Sequence, residues 1–169
     1  MLQLSSTLLN KPVLSLRTGN AVATTIAPVI NPNNLKIEGF YCQDQSKRRL
    51  VLVYQDIRDI LPQGFVVDDQ EVLVEPSELV RLQDIIELNF DIMNKNVVTA
   101  TKKIGKVTDY ATEIETLYIQ KIYVAQSIFK SFSGGNLGVD RSQIVEITPT
   151  RIVINDPLQG APARAPATA

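Results

Sequence analysis

Asn10-Lys11-Pro12-Val13-Leu14 returns as Asn94-Lys95-Asn96-Val97-Val98, about 84 residues further along the chain. Working outward from this pair, Leu35, Ile37 and Tyr41 align with Leu117, Ile119 and Tyr123. Beyond them, Leu50, Leu52, Ile57, Asp59 and Ile60 align with Leu137, Val139, Ile144, Glu146 and Ile147. Each copy is read as closing on a β-branched triplet, Val72-Leu73-Val74 or Ile152-Val153-Ile154. The offset drifts by a few residues between blocks, as it does when insertions fall in loops while strands keep their two-residue period.

Short β-type runs bounded by turn residues fill both copies. In the first copy, strands are expected near 12–16, 21–28, 35–43, 50–54, 64–67 and 71–74. In the second they are expected near 96–100, 105–115, 118–126, 138–140, 144–148 and 151–154. Asn31-Pro32-Asn33-Asn34 is a turn signal, since proline presets φ and asparagine tolerates left-handed geometry. Asp68-Asp69 reads as a hairpin turn. The segments 56–60 and 143–147 also fit short helical turns. Many short strands at close spacing favour closure, because closure removes exposed sheet edges. The fold class expected is therefore all-β: two tandem small antiparallel barrels, in residues 1–75 and 90–156. Between them Pro76 opens a helical stretch with Leu79, Leu82 and Ile86 at i, i+3 and i+7, read as a linker helix over 76–89. Residues 157–169, rich in alanine and proline, read as a disordered tail.

The chain has 169 residues, 44% of them hydrophobic and 21% charged, with a formal net charge of -1. That balance does not demand a strongly electrostatic partner such as duplex nucleic acid or an anionic bilayer. Cys42 is the only cysteine, in the apolar run Phe40-Tyr41-Cys42, and reads as a buried core thiol. With no histidine and one thiol, the chain alone supplies neither a Ser-His-Asp or Cys-His centre nor a zinc site. Neither a signal peptide nor an 18-residue apolar span is evident, and a soluble, cytoplasmic protein is expected.

Asn-Lys-Pro-Val-Leu opening a strand, a Gly19 or Gly105 turn, the strand Leu35-Lys36-Ile37-Glu38-Gly39-Phe40, the block Asp56-Ile57-Arg58-Asp59-Ile60 and the closing Val72-Leu73-Val74 together resemble the PRC-barrel family. This fold is shared by the cytoplasmic domain of the photosynthetic reaction-centre H subunit and the C-terminal domain of a ribosome-maturation factor. The resemblance spans roughly residues 8–75 and 90–155. It departs from the family's usual Gly-Lys-Pro-Val at Asn10, Asn94 and Asn96. It implies a non-catalytic docking module with no shared active site to carry across, and fold alone does not select a partner.

Candidate sites were sought with that in mind. Carboxylate pairs, Asp68-Asp69 and Glu113 with Glu115, read as solvated turns and strands, with no EF-hand spacing around them. Ser133-Gly134-Gly135-Asn136-Leu137-Gly138 lacks the Lys-Ser/Thr ending of a phosphate loop and reads as a turn. The loop after the Tyr123 strand is longer than its counterpart after Tyr41, with the surplus near Ile128-Phe129-Lys130-Ser131-Phe132. Ile128, Phe129, Lys130 and Phe132 are therefore candidates for an apolar partner anchor, the other reading being a lengthened, buried hairpin. Lys47, Arg48 and Arg49, with Lys102 and Lys103, are weaker candidates for RNA or phosphate contact. No catalytic residue, metal ligand or cofactor is assigned. The function expected is a non-enzymatic adaptor that docks a protein partner, or a membrane complex from its periphery, through loop surfaces. The alternative is an RNA- or ribosome-associated assembly factor, and more remotely an enzyme with carboxylate or phosphate-loop chemistry.

Overall fold

A computed structural model describes residues 1–126 and 136–156. The candidate anchor Ile128, Phe129, Lys130 and Phe132, the run Ser133-Gly134-Gly135 and the tail over 157–169 lie outside the described residues. Among the described residues the protein is all-β, with one short α-helix. Its strands are β1 (Leu2–Leu4), β2 (Pro12–Ser15), β3 (Ala21–Asn31), β4 (Lys36–Asp44), β5 (Arg49–Val53), β6 (Asp59–Leu61) and β7 (Gly64–Val67), followed by β8 (Asn96–Val98), β9 (Lys103–Glu113), β10 (Ile119–Gln126), β11 (Asn136–Asp140), β12 (Ile144–Ile147) and β13 (Arg151–Ile154).

The internal repeat reappears as one strand order used twice. The first sheet runs β5-β4-β3-β2-β7-β6, and the second runs β11-β10-β9-β8-β13-β12, with β1 added on β9. Each contains a parallel pairing at the same place in the order: Val13 faces Phe65, and Val97 faces Ile152. The bulge between Val13 and Leu14 recurs between Val97 and Val98. Asn10 and Asn94 both take positive φ, 57° and 60°, and so do Leu35 and Leu117, each at 57°. Among residues other than glycine, asparagine is one of those that reach left-handed geometry at least cost. The backbone bonds match as well: Asn10 N–H donates to Thr25 O at 2.8 Å, and Asn94 N–H to Val107 O at 2.9 Å.

This pairing corrects one part of the sequence reading. The true counterpart of Ile152-Val153-Ile154 is Phe65-Val66-Val67, the strand parallel to β2. Val72-Leu73-Val74 is not that strand. Residues Gln70–Val72 form a 3-10 turn, and only Val74 pairs, as an isolated bridge to Val51. Nor is Asp68-Asp69 a hairpin turn: Asp69 caps the 3-10 turn by accepting the Gln70 N–H. Both runs are apolar triplets containing two valines, and pattern alone does not choose which run finds a neighbour. The ambiguity at 56–60 and 143–147 is resolved by 3-10 turns at Tyr54–Asp56 and Arg141–Gln143, each followed by a strand. Over 76–88, two 3-10 turns (Pro76–Glu78 and Val80–Leu82) precede the helix α1 (Gln83–Leu88).

The chain divides into two compact units: Met1–Asp91 with Asp109–Lys121, and Ile92–Thr108 with the described residues from Ile122 onward. In the first, Phe40 and Phe65 are fully buried and meet edge to face, with centroids 4.9 Å apart, among Val13, Ile37, Leu52 and Val67. The other face of β3, β4 and β5 is not left to water. Val29, Tyr41 and Val51 are covered there by Leu79, Ile85 and Ile86, which explains why β4 is buried on both faces from Gly39 to Cys42. Within this unit Ile37 N–H donates to Leu117 O and Ile119 N–H to Leu35 O, at 2.8 and 2.9 Å. The core of the second unit includes Val97, Val107, Ile122, Val124, Ile152 and Ile154. No helix among the described residues is long and apolar enough to cross a membrane.

Candidate functional site

Two concavities in the first unit bring side chains together. The larger, about 370 Å³, is lined by Glu38, Val53, Gln55, Glu78, Leu79, Val80, Arg81 and Leu82. Its floor follows from local chain geometry. Between Val29/Gly39 and Ile30/Ile37 the ladder slips by one residue, so Glu38 has no partner strand position, and it is Glu38 that lines the cleft. Gly39 beside it is required by space, since a Cβ there would lie 2.5 Å from the Leu52 carbonyl oxygen. The wall comes from residues 78–82: Pro76 starts a 3-10 turn, Leu79 leaves helical geometry at φ -91°, ψ 72°, and a second turn follows. That break sends Leu79 onto Tyr41 and Val51 while Val80 stands 81% exposed at the rim. Glu38, Val53, Leu79 and Leu82 are half-buried in the lining, and Gln55, Glu78, Val80 and Arg81 are exposed.

The second concavity, about 280 Å³, is polar and is lined by Thr18, Asn20, Ala21, Val22, Asp44, Gln45, Ser46, Arg48 and Gln70. Of the basic candidates of the first copy, Arg48 lines it. Asp44 N–H donates to Arg48 O, and Lys47 N–H to Asp44 O, each at 3.1 Å, closing the β4-β5 turn with Lys47 at φ 66°. Burial opposes ionisation of Asp44, yet the Arg48 N–H and guanidinium Nε, each 2.9 Å away, hold its carboxyl below the usual carboxylate range. Arg49 turns elsewhere, its guanidinium carbon 3.9 Å from the centroid of the Tyr41 ring. Lys47, Arg48 and Arg49 are therefore neighbours in sequence that do three different things. Lys102 lies in the second unit with its Nζ 3.8 Å from Asp156, and Lys103 is exposed at the start of β9.

Asp68, Asp69 and Glu113 are each held in an ion pair. Asp68 binds the Arg58 guanidinium, and Asp69 accepts from Arg17 Nη1 at 2.8 Å. Glu113 holds the amino terminus, and hydrogen bonding to that group keeps its carboxyl below the usual range. Cys42 is fully buried, and burial pushes its thiol up to about 12, so the thiolate needed for nucleophilic chemistry is disfavoured.

The larger cleft was missed by sequence reasoning. Its apolar members come from the stretch read as a continuous linker helix, and the signal lay in Leu79-Val80, where two large apolar residues adjoin and one helical stripe cannot bury both. No protein-family model matches this chain, and no curated protein matches it.

Proposed function

We propose that this protein is a non-catalytic binding module, built from two PRC-type barrels, whose first unit docks a protein partner by receiving an apolar side chain in the cleft of Glu38, Val53, Leu79, Val80 and Leu82. Support for the barrel reading comes from the repeated strand order and its repeated parallel pairing. One observation carries the docking reading. Val80 is 81% exposed on a rim whose neighbours Leu79 and Leu82 continue into an apolar hollow, and a hollow of this kind edged by polar groups suits an interface anchor. The partner's anchor is an aliphatic or aromatic side chain. The candidate loop around Phe129 and Phe132 would extend the same docking role.

The test places a photo-crosslinking side chain at position 80 in the full chain, with position 145 as control because Val145 is also exposed, at 62%. A discrete protein crosslinked from 80 but not from 145, and lost when Leu82→Asp is added, supports docking through the cleft. Equal crosslinking from both positions, or the same product with Leu82→Asp, contradicts it. RNA in the crosslinked species instead of protein would favour the assembly-factor reading.

A further inference from the structure

We propose that the polar concavity at the β4-β5 turn is a receptor for a small phosphate monoester, with Arg48 as its principal anion-binding group. Asp44, at the end of β4, is a buried carboxylate only 5% exposed. It accepts the Arg48 N–H through Oδ1 and Arg48 Nε through Oδ2, each at 2.9 Å. A guanidinium held by Nε keeps its two Nη groups for something else, in a plane already fixed, and this is the edge that grips an oxyanion in a bidentate manner. Arg48 is a wall of the concavity, and its side chain remains 59% exposed, so that edge is reachable.

The rest of the lining suits the same ligand. Thr18 and Ser46 offer hydroxyls, and Asn20, Gln45 and Gln70 offer amides, each able to donate to a phosphate oxygen or to a hydroxyl on the organic part. Gln45 Nε2 already reaches the Ala21 carbonyl at 3.5 Å, which holds that side chain across the mouth. Asp44 and Arg48 are the only charged side chains in the lining and neutralise each other. Lys47, exposed at the apex of the same turn, adds the positive charge that an anion needs. About 280 Å³ is more room than a lone phosphate fills, so the site takes an esterified phosphate with a small polar group attached. No aromatic side chain lines it, which argues against a nucleobase.

The test is a titration of the full chain, observed by amide chemical shifts at constant ionic strength, with inorganic phosphate, glycerol 3-phosphate, a phosphoserine tripeptide and sodium chloride as probes. Saturable shifts confined to residues 18–22 and 44–48, tighter for glycerol 3-phosphate than for inorganic phosphate and absent with chloride, are expected. Arg48→Gln should weaken binding at least tenfold, and Arg48→Lys, which keeps the charge and loses the fork, should weaken it nearly as much. The absence of saturable shifts, equal shifts with chloride, or affinity unchanged in both variants overturns the site. Tighter binding of the phosphoserine tripeptide than of glycerol 3-phosphate overturns the small-molecule assignment and moves the source of the phosphate to a partner protein.

Discussion

Thr25 and Thr112 show how a repeated fold tolerates different chemistry at single positions. Thr25 is fully buried, donates from Oγ1 to the Leu8 carbonyl at 2.8 Å and accepts the Lys11 N–H at 3.1 Å. Val107 occupies the matching place in the second copy, where its N–H donates to Lys95 O as Thr25 N–H donates to Lys11 O. Thr25→Val should therefore destabilise by about 1–3 kcal/mol, because the carbonyl of buried Leu8 loses its hydroxyl donor. Thr112 is the contrast: its Oγ1 is buried without a hydrogen-bond partner. Thr112→Val should be neutral or stabilising by up to about 1 kcal/mol. Urea midpoints of the two variants check both, and the pair fails if the two shift alike. At Gly39 a methyl group would strike the Leu52 carbonyl, so Gly39→Ala should cost about 1–3 kcal/mol and disturb the cleft beside it. Acid stability has its own residue-scale signature. The lowered carboxyl of Asp44 contributes stability that is present in full above about pH 4, the unfolded value, and is lost as pH falls through the lower folded value. Asp44→Asn should therefore flatten the acid limb of a stability-against-pH profile, and an unaltered acid slope would show that Asp44 contributes nothing to it.

At the scale of elements, the strands were legible and the segments that cover them were not. The buried positions Val22, Ala23 and Thr25 in β3 are matched by Ile104, Gly105 and Val107 in β9, and the two strands share length and most of their burial order. Such periodicity survives in sequence because one face must be buried. What sequence could not show was that Phe65-Val66-Val67, rather than Val72-Leu73-Val74, would lie beside β2. That choice rests on a parallel contact between residues about fifty positions apart, and it leaves no local trace. The stretch 76–88 was equally opaque in detail. A regular helix would have turned Leu79, Leu82 and Ile86 to one side, but the break at Leu79 divides them, Ile86 going to the Tyr41 face, Leu82 to the cleft and Leu79 touching both. The basic turn was visible as composition, while the division of labour among Lys47, Arg48 and Arg49 depended on where Asp44 and Tyr41 lie. Val80→Asp belongs at this scale. With Val80 81% exposed, the variant should change the unfolding free energy obtained from urea titration by no more than about 0.5 kcal/mol while abolishing partner capture. Loss of folding, or capture at the wild-type level, would each count against the cleft.

For the molecule as a whole, 17 basic and 18 acidic residues leave no dominant field, and the named basic groups are spread among separate contacts. Partner capture through an apolar cleft should accordingly survive a several-fold rise in salt, whereas retention driven by phosphate contacts would fall steeply. Everything above depends on one strand order used twice, each time with a parallel pair at the same place. Nuclear Overhauser contacts from uniformly labelled protein test this most directly. The account predicts cross-strand contacts between Val13 and Phe65 and, independently, between Val97 and Ile152, with none joining Val13 to Val72, Leu73 or Val74. Contacts from β2 to residues 72–74 in place of 65–67, or the absence of the Val97–Ile152 pair, would contradict it.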